Sequence, residues 1–141
     1  MSAAGFALDT TLAADAHAIG DLPLSSVLLS DDARFPWLIL VPRIAGMRDL
    51  IDLQRERQHE FLDEIDRCAR VLRELHSPIK LNIASLGNVV AQLHVHVIAR
   101  RATDAAWPKP VWGVGQREAY APAALKAELE RLRTALGIAS R

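Results

Sequence analysis

The chain has 141 residues, half of them hydrophobic, and its 17 basic and 17 acidic side chains cancel to a formal net charge of zero. A chain of this length fits one domain with a full core, and its balanced, scattered charge argues against a polyanion binder, so no nucleic-acid polymer is expected as partner. The single cysteine, Cys68, excludes an internal disulfide framework and suits a reducing compartment.

The N-terminal stretch MSAAGFALDTTLAADAHAIG has no basic region followed by an apolar core, and no apolar run approaches the roughly 20 residues that span a bilayer. A cytoplasmic protein without a membrane partner is the expectation. A short helix is expected around Leu12 to Ala18, ended by Gly20 and Pro23. SSVLLSDD reads as a short strand closed by turn formers, and WLILVPR as a second. The second strand is apolar on both faces, with Trp37, Ile39 and Val41 on one and Leu38 and Leu40 on the other. Such a strand belongs in a sheet interior and should end at Pro42, which has no N–H to give a ladder.

From Leu53 the period changes. Phe61, Ile65, Cys68, Leu72 and Leu75 recur at helical spacing while charged residues take the other faces, which predicts a long amphipathic helix over 53–76. IKLNIAS follows as an alternating strand, with Ile79, Leu81 and Ile83 opposite Lys80, Asn82 and Ala84. A turn at LGN then leads into VVAQLHVHVIARR, so an antiparallel hairpin is expected. DAAWPKPVWGVGQ reads as loop, and Ala123 to Leu136 as a last helix. The order predicts a single α+β domain over 1–141, an antiparallel sheet with one long helix and a C-terminal helix packed on it. Its parts are an N-terminal extension (1–24), a core (27–101), and a loop with the final helix (102–141).

The chemistry concentrates in VAQLHVHVIAR. Alternation sends Leu93, Val95 and Val97 to one face and Gln92, His94 and His96 to the other. If the aliphatic row packs under the long helix, the polar row faces a cleft or solvent, and Asn82 can share that side. Three readings stay open. The row is a solvated strand face without chemistry. It is a metal module, since His at i and i+2 on a strand can chelate an ion, but His17, His59 and His76 offer no evident third ligand. Or it is a nucleophilic site, because a neutral imidazole nitrogen attacks competently at physiological pH.

QLHVHVI resembles the histidine triad motif, His-φ-His-φ-His-φ-φ with φ apolar, the first histidine being replaced by Gln92. WLILVPR, the long helix and Asn82 one hairpin upstream extend the similarity over about Val27 to Arg101. The combination DARFPWLILVPR and QLHVHVIARR is similar to a bacterial subgroup of that superfamily carrying this glutamine. The resemblance implies a nucleotide hydrolase or nucleotidyl transferase acting at an α-phosphate. His94, the middle histidine, would be the nucleophile that forms a covalent nucleotidyl-histidine. His96 would bond phosphate or bridging oxygens, and Gln92 would bind phosphate or orient His94 without acting as an acid. Asn82 and Asn88 would be phosphate ligands. Val89 stands where a hydroxyl residue is common. Asp32 falls where the family places a ribose ligand, with a plain turn as its alternative. No cofactor is required by the resemblance, although a divalent cation can arrive with the nucleotide, and a homodimer is implied.

The loss of the first histidine keeps a second function in view, a nucleotide-binding protein with little turnover. Trp107 and Trp112 lie in the loop after the motif, where they either pack over the sheet or reach the site or a partner subunit. Gly113 to Gly115 lack a preceding strand and a following helix, so they form no dinucleotide fingerprint.

Overall fold

A computed structural model describes residues 5–139. A short helix, α1 (Thr10–Asp15), runs into strands β1 (Ala16–Asp21), β2 (Ser25–Ser30) and β3 (Trp37–Pro42). A 3₁₀ turn, Leu50–Asp52, precedes the long helix α2 (Arg55–His76), and the hairpin strands β4 (Lys80–Ala84) and β5 (Val95–Arg100) and helix α3 (Pro122–Leu136) complete the chain. The five strands form one antiparallel sheet in the order β1-β2-β3-β5-β4. The fold is the expected α+β arrangement.

Helix α2 turns Phe61, Ile65, Cys68, Ala69 and Leu72 onto one face of the sheet, where they meet Leu38, Leu40, Leu93, Val95 and Val97 in the larger core cluster. Cys68 is a fully buried free thiol, its pKa pushed up to about 12 chiefly by burial. At its C-terminus Ser77 takes a left-handed conformation (φ 46°) and returns its N–H to the Arg73 carbonyl, with Pro78 stopping further helix. Helix α3 has Pro122 in its first turn and Gly137 at its end, and delivers Leu132 and Leu136 to the same cluster. None of the helices among the described residues is long and apolar enough to cross a membrane.

Three expectations need correction. The predicted helix over Leu12 to Ala18 ends at Asp15, and the segment read as an extension contributes β1 to the sheet. AHAIGD has little β propensity of its own, so its pairing with β2 decides its state. Gly20 marks a register irregularity in β1, and a Cβ there would lie 2.3 Å from Ile138 Cγ2, so a side chain at this position would force Ile138, just past α3, to move. Last, β5 begins at Val95, so Gln92 and His94 precede it. The Leu93 N–H bonds the Met47 carbonyl in the β3–α2 connection, which takes the chain out of the β4 ladder there.

Candidate active site

The sheet face away from α2 carries Trp37, Ile39 and Val41 from β3, Leu28 from β2 and Ile98 from β5, packed with Phe35, Ala106 and Val111. His94 and His96 come to this face because Leu93, Val95 and Val97 are drawn into the core under α2. The expected alternation therefore survives although only the second histidine lies within β5. Both rings are largely enclosed, each residue being 6% exposed, and their centroids are 4.9 Å apart.

Two hydrogen bonds fix how these imidazoles carry their protons. His94 Nδ1 lies 2.6 Å from the backbone carbonyl oxygen of Gln92. A carbonyl oxygen only accepts, so Nδ1 bears the hydrogen and Nε2 of the neutral ring holds a lone pair. His96 has the opposite form. Trp37 Nε1–H donates to His96 Nδ1 at 3.0 Å, and an indole nitrogen only donates, so the hydrogen of neutral His96 is on Nε2. Burial, reinforced by the neighbouring His94, pulls the His96 pKa down to about 4, so this ring is neutral at physiological pH. Neither Nε2 has a hydrogen-bond partner among the described residues, and neither belongs to the buried polar atoms left without one, so both reach solvent. One ring of the pair thus keeps a lone pair on Nε2 and the other keeps an N–H there.

A cavity of about 480 Å³ opens against His96, within the size range of small-molecule sites. Trp37, Ile39, Val111 and Trp112 make its aromatic and aliphatic side, while Ser30, Asp32, Arg34 and Arg117 make its polar side. Leu12 and Asp15 of α1 close another part of the wall. Trp112 sets its ring 5.0 Å from that of His96, so the loop after β5 supplies an aromatic wall, whereas Trp107 lies against the Arg100 guanidinium.

The remaining anticipated residues are dispersed. Asp32 reaches the cavity wall, but its carboxylate takes the Arg34 guanidinium at 2.9 and 2.8 Å and also accepts from the Arg34 and Glu118 N–H groups. Burial works against its charge, yet these bonds prevail and hold its pKa below the ordinary value. Arg34 continues to the Val114 carbonyl at 2.7 Å, tying the loop of Trp112 to the sheet. Asn82 shares the site face, but it pairs with Ile98, two residues or about 7 Å along the strand from Ala84, the partner of His96. Its Oδ1 accepts from Arg100 at 2.8 Å, within a buried cluster where Arg100 also grips Asp104. Asn88 is exposed in the turn after Gly87. Gln92 directs its side-chain amide to Ala7 and Asp9 in the N-terminal segment.

Sequence reasoning missed Trp37 as the group that sets the His96 tautomer. Its signal was available only through register, since Ile39 opposes His96 and Trp37 is its neighbour two residues along the same face. Arg34, Arg100 and Asp104 carried no periodic signal at all.

The model of the HIT domain family matches residues 11–103. Over 93% of its length the chain is similar to a histidine triad protein from Bradyrhizobium japonicum, with 48% identity, 98% of that chain covered and a TM-score of 0.91. A histidine triad protein from Marinobacter aquaeolei shares 40% identity over 94% of this chain and 96% of its own, with a TM-score of 0.91. One from Sinorhizobium meliloti shares 39% identity over 94% and 98%, also with a TM-score of 0.91. The comparison with curated proteins gave no match.

Proposed function

Because the chain belongs to the HIT domain family, we propose that it hydrolyses or transfers nucleoside monophosphate groups, with His94 Nε2 as the nucleophile. Membership supports the broad class, nucleotide binding with hydrolase or transferase chemistry. The observation that carries the finer reading is the tautomer of His94, whose Nδ1–H on the Gln92 carbonyl leaves Nε2 free to attack.

In the proposed sequence Nε2 forms a bond to the α-phosphorus as the bond to the leaving group breaks. The imidazole gains positive charge, and the Nδ1–H bond to the Gln92 carbonyl becomes charge-assisted and stabilises it. Water or another acceptor then attacks phosphorus, releases the nucleotide and returns the electron pair to Nε2. His96 offers its Nε2–H to a phosphoryl oxygen, where negative charge develops, without needing to be protonated. The cavity beside His96 receives the nucleoside, and nothing in the sequence of steps calls for a cofactor.

A second reading, nucleotide binding with slow turnover, draws support from Gln92. Its amide is not an acid and both its polar atoms are engaged by the N-terminal segment, so it supplies no proton to a poor leaving group. The metal reading loses support, since the hydrogen of neutral His96 sits on Nε2, the nitrogen that faces outward, and no group of three or more potential His, Cys, Asp or Glu ligands occurs among the described residues.

Incubation with an adenosine phosphoramidate and with a dinucleoside polyphosphate, with and without EDTA, beside His94→Ala, tests these readings. Turnover that resists EDTA and disappears in the variant is the expected result. AMP binding without turnover selects the second reading, and activity surviving in His94→Ala rules out the nucleophile.

We further propose a homodimer across β4. Among the described residues this strand has one free edge, and Ile79 and Ile83 beside it are exposed, as is Leu62 of α2 across an adjoining groove. A free edge flanked by apolar side chains is self-complementary under two-fold symmetry.

A further inference from the structure

Gln92 occupies the place of a triad histidine, yet its side chain points its chemistry away from the two imidazoles. Its Nε2 donates to the Ala7 carbonyl and its Oε1 accepts from the Asp9 N–H, both at 2.9 Å. Those two backbone groups flank Leu8 and, in an extended chain, point to the same side. A side-chain amide is a peptide group in miniature, with donor and acceptor side by side, so it completes one rung of a ladder with the segment. An imidazole cannot do this, because its two nitrogens point away from each other.

What the rung holds matters to the cavity. Asp9 is the N-cap of α1, its carboxylate accepting from the Thr11 and Leu12 N–H groups. Phe6 and Leu8 pack against the cluster that underlies the site, and Leu12, 6% exposed, is buried in it. Leu12 and Asp15 then form cavity wall, and the Asp15 carbonyl accepts from the Asp31 N–H at the end of β2. The far end of α1 is thus tied to the sheet, and the near end is tied through Gln92. We propose that the side chain of Gln92 is a positioning group, a clamp that fixes residues 7–9 so that α1 stands as a wall of the nucleoside cavity; it sets substrate affinity and takes no part in the transfer step, which position 92 serves only through its backbone carbonyl, kept in every variant. The claim about affinity rests on the function proposed above, whereas the claim about the clamp does not.

The test uses the full chain with Gln92→Ala, Gln92→His and Asp9→Pro, the last removing the N–H that Gln92 accepts at a backbone φ of −53° that proline adopts. The first readout is the amide exchange of residues 9–12 by NMR. Loss of a paired rung in a partly exposed segment is expected to raise those rates about 10-fold or more in both Gln92 variants. The second readout is adenosine phosphoramidate kinetics, with AMP affinity alongside. KM and the AMP dissociation constant are expected to rise about 10-fold in the Gln92 variants while kcat stays within about twofold, and because Asp9→Pro also removes the Asp9 cap, Gln92→Ala combined with Asp9→Pro should be no worse than Asp9→Pro alone. Unchanged exchange in Gln92→Ala overturns the clamp even if the protein proves not to turn over nucleotides. A fall in kcat at constant KM, recovered or surpassed by Gln92→His, overturns it too, because it would put position 92 on the reacting atoms. If wild type neither binds AMP nor turns over, the function proposed above fails, and the exchange measurement alone still decides the clamp.

Discussion

Acid should unfold this protein partly through His96. The ring is enclosed between Trp37 and Trp112, accepts from the Trp37 indole at Nδ1 and has His94 as neighbour. Its pKa falls from an ordinary 6.5 to about 4, with burial the larger cause and His94 the smaller. That gap corresponds to about 3 kcal/mol against protonating the folded ring. Because the folded value is depressed, the unfolded chain binds the proton first, and the stabilisation is complete only above pH 6.5. It is then lost progressively as pH falls towards 4. Between pH 7 and 4.5 the loss assigned to this group is about 2 kcal/mol. His96→Gln keeps an acceptor for the Trp37 N–H and cannot titrate, so it removes that loss while the other titrating groups remain. Urea unfolding of both proteins at pH 7 and 4.5 gives the comparison. Wild type should lose about 2 kcal/mol more than the variant, and an NMR titration should find His96 neutral at pH 5.5. Equal losses, or a His96 titration near 6.5, would refute the reasoning.

Arg100→Met removes the counter-charge of Asp104, whose side chain is 6% exposed, and should destabilise the fold by about 3–5 kcal/mol in urea unfolding. Burial opposes the Asp104 charge, and the Arg100 pair with three N–H donors holds its pKa well below the carboxylate range; the variant keeps the three donors but loses the pair, so a buried carboxylate is left without its counter-charge. Glu64 behaves in the opposite sense. Burial raises its pKa although its Oε2 accepts the Leu24 N–H at 2.8 Å, so its ionisation weighs on the fold increasingly as pH rises past the ordinary carboxylate value. Thermal unfolding should therefore show Glu64→Gln gaining on wild type as pH rises from 4, below the ordinary carboxylate value, to 7. Ile83→Glu places a charge beside the free edge of β4 and should give a monomer by light scattering, with wild type a dimer.

The elements that the sequence announced are those whose pattern is a consequence of burial. Alternate apolar residues of β3, the helical stripe of α2, and Leu93, Val95 and Val97 all enter the cores where their spacing placed them. Strand β1 was illegible because its pairing, and not its composition, makes it a strand. Glu64 was hidden among the charged residues of α2, although it lies on the buried face. Asn82 had the right face but sits beyond the level of His96, since distance along a hairpin depends on register, which the intervening loop conceals. Gln92 stood out in the sequence only by its resemblance to a motif position, while its partners at residues 7 and 9 lie more than 80 positions away.

The two histidines show most directly what a motif leaves unsaid. Spacing explains why they share a face, yet as bare imidazoles at i and i+2 they would be chemically equivalent. Their difference comes from one acceptor and one donor outside the histidine pair, the Gln92 carbonyl and the Trp37 indole. The carbonyl is available because the chain at residues 92–94 has left the β4 ladder, so its backbone group is free to serve a side chain. The indole is available because β3 is central and faces the same way as β5 at that level. Exchanging those two partners would put the lone pair on His96 and the donor on His94. Which ring keeps a lone pair on Nε2 and which keeps a hydrogen there is thus a property of where β5 begins and which strand lies beside it.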